Sequence, residues 1–247
     1  SREAPLGCDH PLAGFSAVPI VESGEDGGST TGEAGKLPPC LNIAAWVTRP
    51  ISERDWVVRD RILNKNVALM TGDGGIGKTI VTYELAMLVP AGGERSWLGS
   101  RVLKDGPALV LCCEDDEDEF QRRGQAIAAH HGIKLADIAS DLHLVSLAGT
   151  VDTLLAMPDQ RGVIQPTSLF KDFAERVCDL KPAIVVVDNV ADVYGGEEIV
   201  RAQVRQFVAL FRQLAVKAET AIILNAHPSL SGITSGRGTS GSTHWHN

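Results

Sequence analysis

Along the chain, short unbroken apolar runs take turns with longer stretches whose apolar residues recur at helical spacing. Val67 to Met70, Ala108 to Cys113, Ala183 to Val187 and Ala221 to Ala226 are runs of the first kind, only the last of them holding a polar residue, Asn225 near its end. Continuous runs of that length suit parallel strands buried on both faces. Leu142 to Ser146 is a weaker strand of the same series. Between the runs lie helical patterns: Val81, Leu85, Leu88 and Val89; then Leu169, Phe170, Phe173, Val177 and Leu180 within Thr167–Leu180. The last spans Glu197–Lys217 and turns Val200, Val204, Phe207, Phe211 and Leu214 to one side. Strands alternating with helices predict an α/β domain, a mostly parallel sheet with helices on both faces.

The punctuation between elements is equally readable. Pro90 with Gly92 and Gly93 is expected to end the first helix, and SWLGSRVLKDGP to form a turn-rich connection. Val151–Gln165, with Pro158, Gly162 and then Pro166, predicts a loop. Ahead of the first strand, a short helix is expected near Leu41–Trp46, followed by a loop through Pro50. Trp56-Val57-Val58 is expected to pack on the first strand, the alternative being a flank for a nucleotide base. Residues 1–40 have scattered apolar residues and no period, so they predict a disordered arm ahead of a domain over 41–247.

The chemistry sits at the ends of the apolar runs. After Val67–Met70 come Gly72, Asp73, Gly74, Gly75, Ile76, Gly77, Lys78 and Thr79, the pattern G-x-x-x-x-G-K-[ST]. Glycines let a backbone wrap a phosphate chain closely, and the N–H groups and helix N-terminus then point at the anion. Lys78 is placed to reach the β- and γ-phosphates, and the Thr79 hydroxyl to ligate Mg²⁺. Glu114 stands at the end of the next strand and opens an unbroken run of carboxylates to Glu119; the later members occupy the start of a helix. Asp188 ends the Ala183–Val187 run, where a carboxylate can accept from Mg²⁺-bound water or from Thr79; the bland reading is a helix cap. His227 follows Ala221–Ala226 in the place of a γ-phosphate sensor, with a satisfied histidine at a strand end as the other reading.

Charge and composition change this picture in few places. The 247-residue chain is 44% hydrophobic, enough to bury a core, and no apolar run nears the ~20 residues of a membrane span. It carries no basic segment followed by an apolar one of the secretory type. Five cysteines without metal-ligand spacing are expected to be reduced thiols of a cytoplasmic protein. The net charge of −8 argues against bulk attraction to nucleic acid, but the acidic arm and the Glu114–Glu119 run account for it. Pro228 to Thr243 is Gly/Ser-rich, with Arg237 as its only charge, and is expected to be a mobile loop.

On GDGGIGKT, LCCEDD, VVVDN and the tail AHPSLSGITSGRGTSGSTHW, the chain resembles the RepA-like branch of the RecA/KaiC-type P-loop AAA ATPases of plasmid and phage replication. The resemblance covers residues 50–247. It implies a RecA-like fold, with Glu114 polarising the attacking water and Lys78 and His227 at the phosphates. It further implies a homo-oligomeric ring, commonly a hexamer, with ATP and Mg²⁺ between subunits and an arginine reaching in from the neighbour. Ser229–Thr243 would then face single-stranded DNA or the central channel. The family pattern continues past SGST-x-W into a strand bearing such arginines, so a truncated C-terminus after Asn247 is expected; Arg237 is a further finger candidate. The resulting expectation is ATP hydrolysis by a DNA-acting ring, a replicative helicase. A KaiC-like signalling scaffold and a binding-only nucleotide module are the alternatives.

Overall fold

In chain order, the computed structural model describes residues 40–227, as two units, 40–54 and 55–227. In the first, Ile43–Trp46 makes one 3-10 turn in which every residue is exposed. The second begins with an antiparallel pair, β1 (Trp56–Val58) and β2 (Ile62–Leu63), then β3 (Val67–Thr71), the glycine loop and α1 (Lys78–Ala91). A small ribbon of β4 (Ser96–Trp97) and β5 (Ser100–Arg101) leads to β6 (Ala108–Cys112), α2 (Glu117–His131), α3 (Leu135–Ile138) and β7 (Leu142–Ser146). Then come β8 (Ala156–Pro158), β9 (Ile164–Pro166) and α4 (Ser168–Leu180). Finally β10 (Ile184–Asp188), α5 (Val190–Val193), α6 (Arg201–Lys217) and β11 (Ala221–Ala226) complete the unit.

The apolar runs make a five-stranded, all-parallel sheet in the order β3-β11-β10-β6-β7. Every residue of the three inner strands is buried, which is why their sequences tolerate no polar interruption until the last positions. Successive side chains of a strand point to opposite faces, and the core divides accordingly. Leu109, Leu111, Val185, Val187, Ile222 and Leu224 face α4 and α6, whose Phe170, Phe207 and Phe211 rings interlock. Val110, Val186 and Ile223 face the other way, onto Leu85, Leu88 and Val89 of α1 and Phe120 and Ile127 of α2. The sheet therefore has helices on both faces, the RecA-like α/β arrangement expected.

Register positions the site. Asp188 pairs with Asn225 on one side and Cys112 on the other, and Ala226 pairs with Thr71. The four strands thus end level, and the residues that follow them — the glycine loop, Glu114, Asn189 and His227 — leave the sheet along one edge. Ligands of open α/β sheets bind at that edge.

Several local expectations are corrected. Val151–Gln165 is no plain loop: β8 and β9 pair antiparallel. The Asp159 carboxylate accepts from the Arg161 and Val163 N–H groups and builds the turn, a device that Pro158 and Gly162 hid. Trp56–Val58 is itself a strand, paired with β2, and Val57 and Val58 pack fully buried in the same core cluster as Ala68 and Met70 of β3. α6 begins at Arg201, not Glu197, because the Glu197 N–H is taken by the Gln203 side chain before the helix starts. Pro90 lies within the last turn of α1, and the stop comes at Gly92 in a positive-φ conformation. β6 ends at Cys112, one residue early. No helix among the described residues is long and apolar enough to cross a membrane.

Candidate functional site

Gly77 caps α1 at φ 93, a conformation that costs any residue with a Cβ, so the turn into the helix requires glycine here. A Cβ at Gly72 would run into the Ile76 side chain that folds over it. Lys78 starts the helix and is buried, with Nζ donating to the Gly72 carbonyl at 2.6 Å and the Asp73 carbonyl at 2.9 Å. Burial holds its pKa below the ordinary lysine value, against the opposing pull of Asp188, Glu114 and Asp73. His227 Nδ1 lies 3.3 Å from the same ammonium. The loop lysine and the residue after the sensor strand, far apart in sequence, are therefore neighbours.

A cavity of about 300 Å³ opens over this loop. Gly75, Gly77, Lys78 and Thr79 form one wall; Glu114, Asp188 and His227 form another. Every residue that the sequence singled out for phosphate, metal or water chemistry among the described residues lines it, save Gly72, the exposed loop residues Asp73 and Gly74, and the covering Ile76.

Asp188 is buried at the end of β10, and its Oδ2 accepts no hydrogen bond from any described residue. A shielded carboxylate oxygen without a donor costs free energy unless a cation or ordered water completes it. With the Thr79 hydroxyl on the same cavity, the donor set fits Mg²⁺, a hard ion that takes oxygen ligands and keeps company with phosphates. No cluster of His, Cys, Asp and Glu among the described residues makes a self-contained metal cage. The pair suits an ion that shares its coordination with a nucleotide.

Glu114 is exposed at the cavity, and its Oε1 accepts from Asn189 Nδ2 at 2.7 Å. Asn189 is itself fixed, since its Oδ1 accepts from the Asp192 N–H and caps α5. The carboxylate is thus held by a residue of the neighbouring strand end. The rest of the acidic run divides into separate jobs. Asp115 is buried, and burial raises its pKa against the opposing charge of Arg123, whose Nη1 is 2.8 Å from Asp115 Oδ2. Asp116 is the N-cap of α2 and accepts from the Glu119 N–H at 2.8 Å. Glu119 accepts from Arg123 Nε at 2.7 Å.

Two residues at or beside the site escaped sequence reasoning. Arg123 lines the cavity from α2, braced by Asp115 and Glu119. Its signal was the i, i+4 spacing from Glu119, which alone reads as ordinary helix-surface pairing. Asn225, fully buried in β11, donates through Nδ2 to Thr82 Oγ1, which in turn donates to the Lys78 carbonyl. That chain ties the first turn of α1 to the strand leading to His227. Cys112 and Cys113 take no part: burial pushes their thiols up to about 11 and about 12. The Ser229–Thr243 loop, Arg237 and the arm through residue 39 lie outside the described residues.

The family described as AAA domain matches residues 33–232, a span that holds the glycine loop, Glu114, Asp188 and His227. No curated protein matches the chain.

Proposed function

The chain belongs to the AAA-domain family of P-loop ATPases, and from that premise we propose that it binds Mg²⁺-ATP and hydrolyses it as a RepA-like oligomer acting on DNA. The observation that carries the nucleotide part is the donorless Asp188 oxygen beside Thr79 and Lys78 in one cavity with Glu114. Lys78 already spends its ammonium on two carbonyls of the loop, the stand-ins for phosphate oxygens. When phosphates enter, the loop N–H groups and Lys78 take the β- and γ-oxygens, while Thr79 and Asp188 hold the ion. The ion supplies charge neutralisation across the phosphates when bound.

Glu114 orients a water in line with the γ-phosphorus and receives its proton as the P–O bond to that water forms and the bond to the β–γ bridging oxygen breaks. Asn189 keeps the carboxylate aimed. His227, beside Lys78, reports the γ-phosphate to the chain that follows it. The DNA-acting, helicase part rests on the sequence resemblance of the tail after His227.

The test uses the full chain with Glu114→Gln and Lys78→Ala. Glu114→Gln is expected to bind Mg²⁺-ATP like the wild type and release phosphate ~10²-fold more slowly, as befits a lost positioned base. Lys78→Ala is expected to lose nucleotide binding. Wild-type turnover in Glu114→Gln overturns the catalytic assignment, and wild-type binding in Lys78→Ala overturns the phosphate site. ATP-dependent strand displacement supports the helicase; turnover indifferent to DNA favours the scaffold ATPase.

A further inference from the structure

A second cavity, of about 320 Å³, opens beside the phosphate cavity between α1 and α2. Ile80 lines both, so the two adjoin at one side chain. The second cavity is apolar along Ile80, Val81 and Ile127, with Glu84, His130 and His131 as its polar lining. Ile80 is 41% exposed directly after the metal-ligating threonine, where a folding chain gains nothing from a bare isoleucine. Glu84 Oε1 is held 2.6 Å from His131 Nε2, and Glu84 Oε2 accepts no hydrogen bond from any described residue. Glu84 thus lies beside an apolar slot with one oxygen fixed and the other, on a partly exposed side chain, free to accept.

We propose that this cleft receives the purine base of the nucleotide whose phosphates occupy the glycine loop, and that Glu84 selects adenine. The inference rests on the phosphate-site reading given above. Ile80 and Glu84 lie one turn apart on the same face of α1, so the cleft runs from the phosphate loop along the helix to the carboxylate. The volume is at the lower end for a ligand pocket and suits one flat ring system. Ile80 and Ile127 offer apolar surface to the ring faces. The exocyclic amine of adenine donates to Glu84 Oε2. Guanine in the same pose turns a carbonyl toward that carboxylate, leaving two acceptors face to face. A site that hydrogen-bonds one analogue rejects another chiefly through the group left without a partner.

The test measures binding of Mg²⁺-ATP, Mg²⁺-GTP and Mg²⁺-tripolyphosphate to the full chain by calorimetry. Ala126→Trp fills the cleft from an exposed position on α2, so the core is untouched. It is expected to weaken ATP binding by ~10-fold or more, the loss of a charge-assisted hydrogen bond and its apolar seat, while tripolyphosphate binds as to the wild type. Glu84→Gln, whose amide both donates and accepts, is expected to bring the ATP and GTP affinities together. Wild-type ATP affinity in Ala126→Trp, or an unchanged ATP/GTP ratio in Glu84→Gln, places the base elsewhere and overturns the proposal. Tripolyphosphate separates the two readings. A misplaced base leaves its binding to the wild type intact, whereas a wild-type chain that fails to bind it refutes the phosphate site and this proposal together.

Discussion

Glu114 and Asn189 face each other across two strand ends, and their hydrogen bond makes a distinction testable. Asn189 touches no reacting atom in the proposed chemistry; it positions the group that does. Asn189→Ala should therefore leave the affinity for Mg²⁺-ATP unchanged and lower kcat by less than Glu114→Gln does, measured as phosphate release at saturating ATP. A drop in affinity with kcat preserved would assign Asn189 to nucleotide binding instead. Asp115 gives a second prediction, in pH. Burial raises its folded-state pKa, so the native chain holds that proton more readily than the unfolded chain. Stability then falls as pH rises through the window from about 4, the unperturbed value, up to the raised one. In Asp115→Asn this loss is absent. The stability of the variant relative to the wild type should climb as pH rises through that window, followed by denaturant unfolding at successive pH values. A relative stability that falls instead would show that the Arg123 ion pair outweighs burial.

At the scale of elements, α2 shows how one acidic run does several jobs. Its first turn carries Glu117, Asp118 and Glu119 at the positive helix end, and Asp116 caps it with a side-chain acceptor. Asp116→Ala should cost about 1 kcal/mol of unfolding free energy, and Asp116→Asn close to nothing, since asparagine caps as well. Both should leave kcat alone, because Asp116 points along the helix start and not into the cavity. Chemical denaturation alongside steady-state turnover checks this. An activity loss in Asp116→Asn equal to that in Glu114→Gln would mean that the run acts as a collective field. The ribbon of β8 and β9 teaches the opposite lesson. Its strands have three residues each, and prolines and a glycine punctuate them, so the pairing comes from the Asp159 turn and not from any period.

At the scale of the molecule, the phosphate cavity is built from four strand ends on one edge of the sheet, and among the described residues nothing covers its outer side. Gly75 and Glu114 are exposed there, and Ile76 is 62% exposed on the loop itself. A γ-phosphate on that side meets bulk water unless a second copy covers it, which is the arrangement proposed for a ring. Turnover per subunit should then rise with protein concentration and level off as the assembly forms, with mass photometry run on the same dilutions. Constant turnover per subunit from a species that stays monomeric throughout would remove the ring and any arginine supplied in trans.

What the sequence determined alone is what neighbours along the chain can encode. The glycine loop, Lys78 and Thr79 lie within one short stretch, and the buried strands declare themselves by having no polar residue to place. The carboxylates and histidine at the strand ends were legible because the end of a buried run is where a parallel sheet must show polar groups. The tertiary structure decided everything that depends on register between distant segments. Lys78 meets His227 across 149 residues, and Asn189 meets Glu114 across 75. Arg123 becomes a cavity residue, and Asp115 a buried brace, only when α2 is laid against the sheet. The cleft shared through Ile80 exists only between two packed helices. Spacing along a helix or strand fixes which residues share a face; what that face meets is settled by packing, which no local pattern records.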